Sequence, residues 1–349
     1  MTATRPDPSG FLPVRTVHLH LTRRCNLSCR HCYSESGPTA AGTLDLTRLV
    51  GALPHVRAAG YESLSLSGGE PLLYRPLPEF IQAAQEADLR VTLITNGTLP
   101  WARVRSVRAQ VDGMAVSFDG LQATHDATRG RTGAYRQALD TVRRLADAGL
   151  PAAAAVSLLP GTLPELPDLV GELQEAGVAG VQVRPVAPAG RARQLPDGTG
   201  WPADRARLFW TTLALAQEHA PLPVTSDLAP AQLLLAQRGA FAALARWEDG
   251  TPLSAAVNPL VVTEGGILKP FTYDFHAQFG LGSLETIAGP HGAVLARLSH
   301  LIDDLFSDLQ PRFDILDWYA ECAAASQDAA RRHVGTEGGH GAVTQSGAP

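Results

Sequence analysis

Three of the four cysteines in this chain, Cys25, Cys29 and Cys32, lie in one short segment. Their C-x3-C-x2-C spacing suits thiolates that converge on one metal centre. Structural zinc sites take four protein ligands, usually as two short pairs separated by a long gap, and cubane iron–sulfur clusters also usually take four cysteines. Three close cysteines without a fourth nearby therefore favour a cubane in which one iron has no protein ligand. A small molecule can bind and react at such an open position.

A zinc site is the alternative interpretation of the same residues. His31, His20 or a more distant residue would then supply the fourth ligand. The spacing favours iron–sulfur over zinc, because the cysteines are not arranged as two separated pairs. The fourth cysteine, Cys322, lies in an apolar helical run and is predicted to be a small buried hydrophobic residue rather than a ligand.

The elements that must position the cysteines alternate between strands and helices. Predicted strands cover residues 16–21, 63–67, 91–94, 114–118, 153–158 and 180–184, and predicted helices cover residues 46–53, 80–87, 101–107, 134–148 and 166–176. Asp45 is the predicted N-cap of the first helix, and Pro54 is expected to limit it. Six alternating strands predict a parallel sheet with right-handed crossovers. The fold class is therefore α/β, a partial (β/α)6 TIM-type barrel, because eight units would be needed for a full barrel.

The pattern changes after Arg184, where a Pro/Gly-rich joint marks a boundary. Helices are predicted at residues 205–218, 229–247, 294–305 and 315–332, and a hairpin at residues 257–263 and 267–271. These segments predict a smaller α+β C-terminal extension. The predicted organisation is a disordered lead (1–12), the barrel (13–195), the extension (196–334) and a disordered tail (335–349).

Ligands of β/α sheets and barrels bind at the carboxyl ends of the strands. The unusual motifs of this chain all lie at such ends: the cysteines, then Gly68-Gly69-Glu70-Pro71, Thr95-Asn96-Gly97 and Ser117-Phe118-Asp119-Gly120. A Gly-Gly or Asn-Gly pair alone indicates an ordinary turn. Convergence of these motifs on one rim indicates a ligand site.

Together the motifs resemble those of the radical S-adenosylmethionine (SAM) enzymes, whose cluster motif is C-x3-C-x2-C. The run Ser117-Phe118-Asp119-Gly120, His125-Asp126-Ala127-Thr128-Arg129-Gly130 and Gly133-Ala134-Tyr135 is similar to the S-x-D-G…H-D-x-x-R-G…G-x-[FY] segment of the peptide- and cofactor-modifying branch. The resemblance extends from about Arg15 to Arg193. It implies one [4Fe-4S] cluster, held by Cys25, Cys29 and Cys32, that reductively cleaves SAM to a 5′-deoxyadenosyl radical. That radical would abstract hydrogen from a peptide or cofactor-precursor substrate.

The resemblance also implies a set of cofactor-binding residues. Glu70, within the Gly68-Gly69-Glu70-Pro71 motif, would hold the SAM ammonium group, and Thr95 and Asn96 join the set on the same rim. Ser117 would contact the SAM ribose or carboxylate, and Arg129 would pair with the carboxylate as a bidentate fork.

Further residues of the same motifs have expected roles. His31 stands where the family often has an aromatic residue and would stack on adenine, and Tyr33 would share that role or pack the loop. Asp119 is expected to cap a turn, and His125 and Asp126 to fix their loop. No catalytic side chain is expected beyond the cluster and SAM.

The C-terminal region looks like a SPASM-type extension with few cysteines. The full extension uses many cysteines for auxiliary clusters, whereas this region has only Cys322. The resemblance therefore implies one cluster per chain. Residues 273–276 either cover the barrel mouth or pack on the core as a hairpin end, and Arg184 either lines the substrate pocket or lies on the surface.

The composition bears on whether the protein binds nucleic acid or a membrane. Of the 349 residues, 45% are apolar and 18% charged, which allows a substantial core, and a net charge of −5 is not that of a nucleic-acid-binding surface. The sequence has neither a membrane-spanning apolar run nor a signal-peptide core, so a cytoplasmic protein with reduced cysteines is expected.

The implied reaction needs an electron donor such as flavodoxin or ferredoxin. The substrate would be a peptide or small molecule, and a separate leader-peptide-binding protein could serve a peptide substrate, because no leader-binding module is evident. The alternative is a non-enzymatic metal- or cluster-stabilised binding protein on the same fold, which would hold metal without turning over SAM.

Overall fold

The computed structural model describes residues 14–150, 152–196, 198–199, 203–220, 222–226, 228–236, 238, 250–309 and 315–337. Its first half alternates β1 (Thr16–His20), α1 (Leu46–Ala58), β2 (Ser63–Ser67), α2 (Leu77–Glu86), β3 (Arg90–Thr95), α3 (Trp101–Val107), β4 (Gly113–Phe118), α4 (Gln122–Arg129), α5 (Ala134–Asp147), β5 (Ala152–Leu158), α6 (Leu166–Glu175) and β6 (Gly180–Pro185). The six strands pair in parallel in chain order. The predicted α/β class and its six parallel strands are confirmed.

The second half adds further strands and helices. These are α7 (Ala203–His219), β7 (Val224–Ser226), β8 (Leu228–Pro230), α8 (Ala231–Ala236), α9 (Leu253–Ala256), β9 (Leu260–Val262), β10 (Leu268–Pro270), α10 (Gly292–Asp308), β11 (Ile315–Asp317) and α11 (Trp318–Glu337). Within the described ranges, none of the helices has both the length and the apolar character needed to cross a membrane.

The main sheet extends beyond the six predicted strands at both edges. β7 pairs in parallel with β6, and the predicted hairpin β9–β10 joins the same sheet through parallel pairing of β9 with β1. The strand order is β10-β9-β1-β2-β3-β4-β5-β6-β7. In the part of the chain that the structure describes, the edge strands β10 and β7 do not pair with each other, so the barrel is partial and open.

Some predicted boundaries differ from the observed ones. The helix predicted at residues 229–247 begins with β8, and residues 239–249 lie outside the described residues. The helix predicted at 315–332 begins instead with β11, because residues 315–317 pair with β8. The expected lead (1–12) lies outside the described residues, as does most of the expected tail, whereas residues 335–337 belong to α11.

The two faces of the main sheet differ in polarity. Leu64 and Leu66 of β2 belong to one buried apolar cluster with Phe80 and Ile81 of α2. The serines that alternate with these leucines point to the opposite face, since successive strand side chains alternate. Ser65 is paired in register with His18 of β1 and Thr92 of β3 on that face. The helices therefore cover an apolar face and leave a polar inner face.

Helix α1 continues through Pro54, which was expected to limit it. Asp45 is its N-cap as predicted and accepts a hydrogen bond from Arg48 N at 3.0 Å. Proline removes one helical hydrogen bond, but Pro54 lies on the exposed side of α1, where water can satisfy the carbonyl left without a donor.

Candidate metal centre and cofactor site

The three cysteines lie in an irregular loop directly after β1. All three are free thiols; Cys25 and Cys29 are buried and Cys32 is partly exposed. The loop is anchored at both ends, since Cys25 N donates to Gly37 O at 3.0 Å and Arg30 N donates to Thr128 O at 2.9 Å. The end of β1 therefore presents the cysteines at the carboxyl rim of the sheet, as predicted.

Donor groups point at two of the sulfur atoms. Leu27 N lies 3.4 Å from Cys25 Sγ, Ser36 N lies 3.3 Å from Cys32 Sγ, and Asn96 Nδ2 lies 3.7 Å from Cys25 Sγ. Burial raises the pKa of Cys25 to about 12, and burial also raises the pKa of Cys29 against the opposing charge of Arg129. A bound metal would displace these protons, because metal ligands must be deprotonated.

The donor set fits an iron–sulfur cluster better than a single zinc ion. A zinc site would need a fourth protein ligand, and among the described residues no His, Asp or Glu joins the cysteines in a group that could hold one ion. Each candidate zinc histidine is held through Nε2, His31 by Asp119 Oδ1 at 2.9 Å and His20 by the hydroxyl of Tyr33 at 3.3 Å, while Nδ1 of each is buried without a partner within the described part of the chain. What the site offers is three cysteines in one loop with N–H groups directed at sulfur, which is the environment of iron–sulfur clusters.

The Gly-Gly turn after β2 is pressed against the backbone that leads into Cys25. Gly69 N donates to Thr22 O at 2.6 Å, and Glu70 N donates to Arg24 O at 3.0 Å. Gly68 has φ +133°, and a Cβ on Gly69 would lie 2.5 Å from Arg24 O. Only glycine permits this approach, so the turn fixes the base of the cysteine loop. Pro71, the last residue of the motif, is buried in a short 3-10 turn.

Glu70 ties the end of β2 to the end of β3. Its side chain is fully buried and accepts hydrogen bonds from Thr95 Oγ1 at 2.8 Å, Asn96 N at 2.9 Å and Leu72 N at 3.2 Å. Burial raises the pKa of Glu70 to about 7, and the three hydrogen bonds oppose that rise. Its predicted contact with the SAM ammonium group stays a prediction.

Asn96 links this carboxylate to the cysteine loop. Its Nδ2 donates to Asn26 Oδ1 at 2.9 Å, and Asn26 in turn donates to Thr98 Oγ1 at 2.8 Å. Asn96 Oδ1 accepts from the backbone and hydroxyl of Thr98. The Thr95-Asn96-Gly97 turn is thus a polar connection between the β3 rim and the residue after Cys25.

Asp119 is the centre of a buried ionic network on the other side of the loop. Arg129 donates to both carboxylate oxygens through Nε and Nη2, and His31 contacts the same carboxylate at 2.9 Å. Burial acts to raise the pKa of Asp119, but Arg129 and His31 hold it well below its usual range. Asp119, expected to cap a turn, therefore holds Arg129 and His31 together.

This arrangement bears on the residues predicted to contact SAM. Two donor positions of Arg129 are already occupied by Asp119, whereas Ser117 is half-buried at the rim end of β4 and His31 is partly exposed. The contacts predicted for Arg129, Ser117 and His31 stay predictions. Asp126 fixes its loop as expected, because it accepts hydrogen bonds from the backbone N–H groups of residues 133 and 135.

Sequence reasoning missed Arg191, which lies in the segment taken as a Pro/Gly-rich joint. Arg191 Nε donates to Cys29 O at 2.8 Å, Nη2 donates to Ser36 O at 2.8 Å, and the backbone N donates to Cys32 O at 3.0 Å. The one signal in the sequence is a Gly-Arg pair soon after the sixth predicted strand.

Residues 273–276 combine the two expected placements. The ring of Tyr273 lies 4.6 Å from that of His20 and 5.4 Å from that of Tyr33, beside the cysteine loop, whereas Phe275 is fully buried in the core. The hairpin end therefore packs on the core and also extends one tyrosine to the rim.

Comparison with known proteins identifies the first half of the chain. Residues 19–176 match the family model of the Radical SAM superfamily. This chain contains a radical SAM domain. The domain includes the cysteine loop, the Gly-Gly turn and the Asp119 network described above.

Curated relatives of this chain carry names for different functions. It is 29% identical over 189 residues to the sporulation killing factor maturation protein SkfB of Bacillus subtilis, covering 53% of this chain and 45% of SkfB. It is 33% identical over 207 residues to the pre-heme d1 synthase of Dinoroseobacter shibae, covering 58% of this chain and 50% of the synthase. The chain thus spans about half the length of the curated relatives it matches.

Solved structures share the fold. Streptococcus suis SuiB bound to S-adenosylmethionine superposes with a TM-score of 0.60 at 14% identity, covering 80% of this chain and 67% of SuiB. The anSMEcpe structure with AdoMet and the Cp18Cys peptide superposes with a TM-score of 0.57 at 13% identity, covering 92% of this chain and 98% of that chain. At these identities the likeness concerns the fold alone.

Proposed function

We propose that this protein is a radical SAM enzyme that uses one [4Fe-4S] cluster, held by Cys25, Cys29 and Cys32. The observation that carries the proposal is the meeting of three free cysteines in one loop with buried Glu70 and the Asp119 network on one rim. A binding protein that needed metal only for stability would have no use for these polar groups around an open cluster position.

Cys25, Cys29 and Cys32 would hold the cluster, whose chemistry would be one-electron reductive cleavage of the S–C5′ bond of SAM, with methionine released and a 5′-deoxyadenosyl radical available to abstract hydrogen from the substrate. The protein has to hold the cluster, orient SAM and exclude water from the reacting atoms. The three cysteines would ligate iron, and the N–H groups near Cys25 Sγ and Cys32 Sγ would tune the cluster, since hydrogen bonds to sulfur shift its reduction potential.

The residues of the predicted cofactor set divide into two groups by their present partners. Glu70 and Arg129 have most of their hydrogen-bonding capacity occupied within the protein, so they chiefly shape the site. Ser117 is half-buried at the rim end of β4 and would contact SAM through its hydroxyl group. The side chain of His31 is 9% exposed and is held by Asp119, so it would offer adenine a ring whose position is already fixed. The backbone path around the SAM ammonium group would be set by the remaining residues of the set, which are Gly68, Gly69, Pro71, Thr95 and Asn96.

The substrate would lie on the polar inner face of the sheet, next to the cysteine loop. Nδ1 of His20 and Oγ of Ser65 are buried there without a hydrogen-bond partner among the described residues. Burial and the charge of Arg184 lower the pKa of His18 to about 3, and burial with neighbouring His18 and Lys269 lowers that of His20 to about 3. Both rings are therefore neutral at pH 7 and can donate or accept hydrogen bonds to a polar substrate.

A peptide or a cofactor precursor are the two substrate classes that the relatives suggest. SkfB is a maturation protein, and SuiB has been seen bound to the precursor peptide SuiA, whereas other relatives are heme-pathway synthases. We further propose a flavodoxin or ferredoxin as electron donor, a separate leader-binding protein for a peptide substrate, and a cytoplasmic location.

The test is anaerobic reconstitution with iron and sulfide, followed by reduction with SAM and an assay for 5′-deoxyadenosine. About four irons per chain and formation of 5′-deoxyadenosine are expected. Cys29→Ala should lose both, while Cys322→Ala, which removes a buried cysteine of α11, should retain them. Bound metal without SAM cleavage would favour the alternative, a non-enzymatic binding protein, and unchanged iron in Cys29→Ala would remove the assigned ligands.

A further inference from the structure

We propose that Arg191 is a positioning residue of the metal centre, which holds the cysteine loop in the shape that receives the cluster. The proposal rests on the proposed function for the identity of the cluster. The clamp itself, which we define as Gly190 and Arg191, is a property of the protein without metal and can be tested separately.

Arg191 contacts the loop at three points that are separated along the chain. Its guanidinium donates to Cys29 O and to Ser36 O, both at 2.8 Å, and its backbone N donates to Cys32 O at 3.0 Å. Cys29 O and Ser36 O, which accept from the side chain, lie at the two ends of the segment that carries the second and third cysteines. One side chain therefore fixes the spacing of the segment that carries two of the three ligands.

Two backbone contacts within the segment from Cys29 to Ser36 are longer than those made by Arg191. Cys32 N lies 3.4 Å from Cys29 O, and Glu35 N lies 3.3 Å from Cys32 O, which are long hydrogen bonds. The loop contains no regular helix or strand between Cys25 and Ser36. Cys25 N and Arg30 N anchor the loop to Gly37 O and Thr128 O, and Arg191 adds short, charge-assisted hydrogen bonds to the carbonyl groups of Cys29 and Ser36.

Gly190 gives independent evidence that this approach is a built feature. It has φ +52°, and a Cβ at this position would lie 2.3 Å from Tyr33 O and 2.5 Å from Cys32 O. Any other residue would push the segment away from the loop. The glycine therefore allows the arginine that follows it to reach the backbone of the cysteine segment.

The charge of Arg191 adds to its geometric role. The guanidinium is partly buried and bonds the carbonyl of Cys29, whose thiol would become an anionic ligand. A fixed cation beside an anionic cluster stabilises the reduced, more negative state, so it raises the reduction potential. Arg191 would thus affect both how firmly the cluster is held and how easily it is reduced.

Three variants separate geometry from charge. Arg191→Met removes both, Arg191→Lys keeps the charge and loses the fork, and Arg193→Met is the matched control. Arg193 lies two residues further on and donates Nε to Pro188 O at 2.9 Å, within its own segment. All three variants are first compared with the wild type by thermal unfolding, so that only folded proteins are carried forward.

The first readout is amide hydrogen exchange of a peptide covering residues 25–37 in the metal-free protein. We expect about tenfold faster exchange in Arg191→Met than in Arg193→Met, because local opening loses two side-chain hydrogen bonds. The second is loss of iron from the reconstituted protein to a ferrous chelator, expected to be about 10- to 100-fold faster in Arg191→Met. Arg191→Lys should exchange fast but keep a reduction potential nearer that of the wild type.

Exchange and iron loss in Arg191→Met that match those of Arg193→Met would overturn the proposal. A wild-type protein that binds the cluster but forms no 5′-deoxyadenosine would refute the proposed function and leave the clamp standing. Conversely, normal SAM cleavage by the wild type together with an unaltered loop in Arg191→Met would refute the clamp alone.

Discussion

Loss of the Asp119 carboxylate should destabilise the carboxyl rim of the sheet more than loss of any other single side chain described above. Asp119→Asn is the smallest substitution that tests this role. The amide has nearly the same shape but no charge, so it cannot accept the paired hydrogen bonds from Nε and Nη2 of Arg129 in the same way. It also replaces the charged partner of His31. The substitution therefore leaves a buried guanidinium without its counter-charge.

The expected magnitude follows from the burial of this pair. The side chain of Asp119 is 1% exposed and that of Arg129 is 8% exposed. Removing one partner of a buried ion pair costs about 3–5 kcal/mol, because the other charge stays buried without compensation. We expect Asp119→Asn to lower the free energy of unfolding by an amount in that range.

The assay is anaerobic denaturant unfolding of the metal-free protein at pH 7, with Asp140→Asn as control. Asp140 pairs with Arg144 at 2.8 Å on the surface of α5, with side chains 57% and 48% exposed. Such a surface pair contributes about 0.3–0.5 kcal/mol. A loss below about 1 kcal/mol in Asp119→Asn, or one equal to the control, would refute the view that this network holds the rim.

Further perturbations test neighbouring features. The stability difference between wild type and Asp119→Asn should be constant well above the ordinary pKa of 3.8 and should shrink progressively as the pH falls below it. The reason is that the unfolded-state carboxylate then takes up a proton while the folded one, whose pKa is lowered, stays ionised. Unfolding measured as a function of pH tests this, and a difference that grows in acid would contradict it. Glu70→Gln should lower the free energy of unfolding by about 1–3 kcal/mol, because the new amide N–H group would face the donor N–H of Asn96. Thermal unfolding measures this, and an unchanged midpoint would argue against the link between β2 and β3. Gly69→Ala should reduce iron loading, because its Cβ would meet backbone oxygen at 2.5 Å, while Gly51→Ala in α1, with open space around it, should load normally; equal loading would show that the turn tolerates a side chain.

Local patterns in the sequence were sufficient for most of the barrel. The six strands were predicted because apolar alternation and flanking turns are properties of consecutive residues. Helix α4 is not predicted from the sequence, because its three buried residues, His125, Thr128 and Arg129, are polar and show no apolar periodicity. The additional strands β7 and β9 were not placed on the sheet, since strand pairing depends on contacts distant in sequence.

For the site too, local sequence patterns decide some features and tertiary contacts decide others. The types and spacing of the cysteines predict a metal centre from sequence alone. The positions of the motifs after successive strands place those residues at the carboxyl rim of a parallel sheet, and the structure has them there. The tertiary structure decided which polar groups of that rim are already paired. Glu70 and Asn96 are 26 residues apart, and Arg191 reaches Cys29 across 162 residues. Hydrogen bonds of this kind are set by the folding of the whole sheet, so no local pattern of residues can specify them.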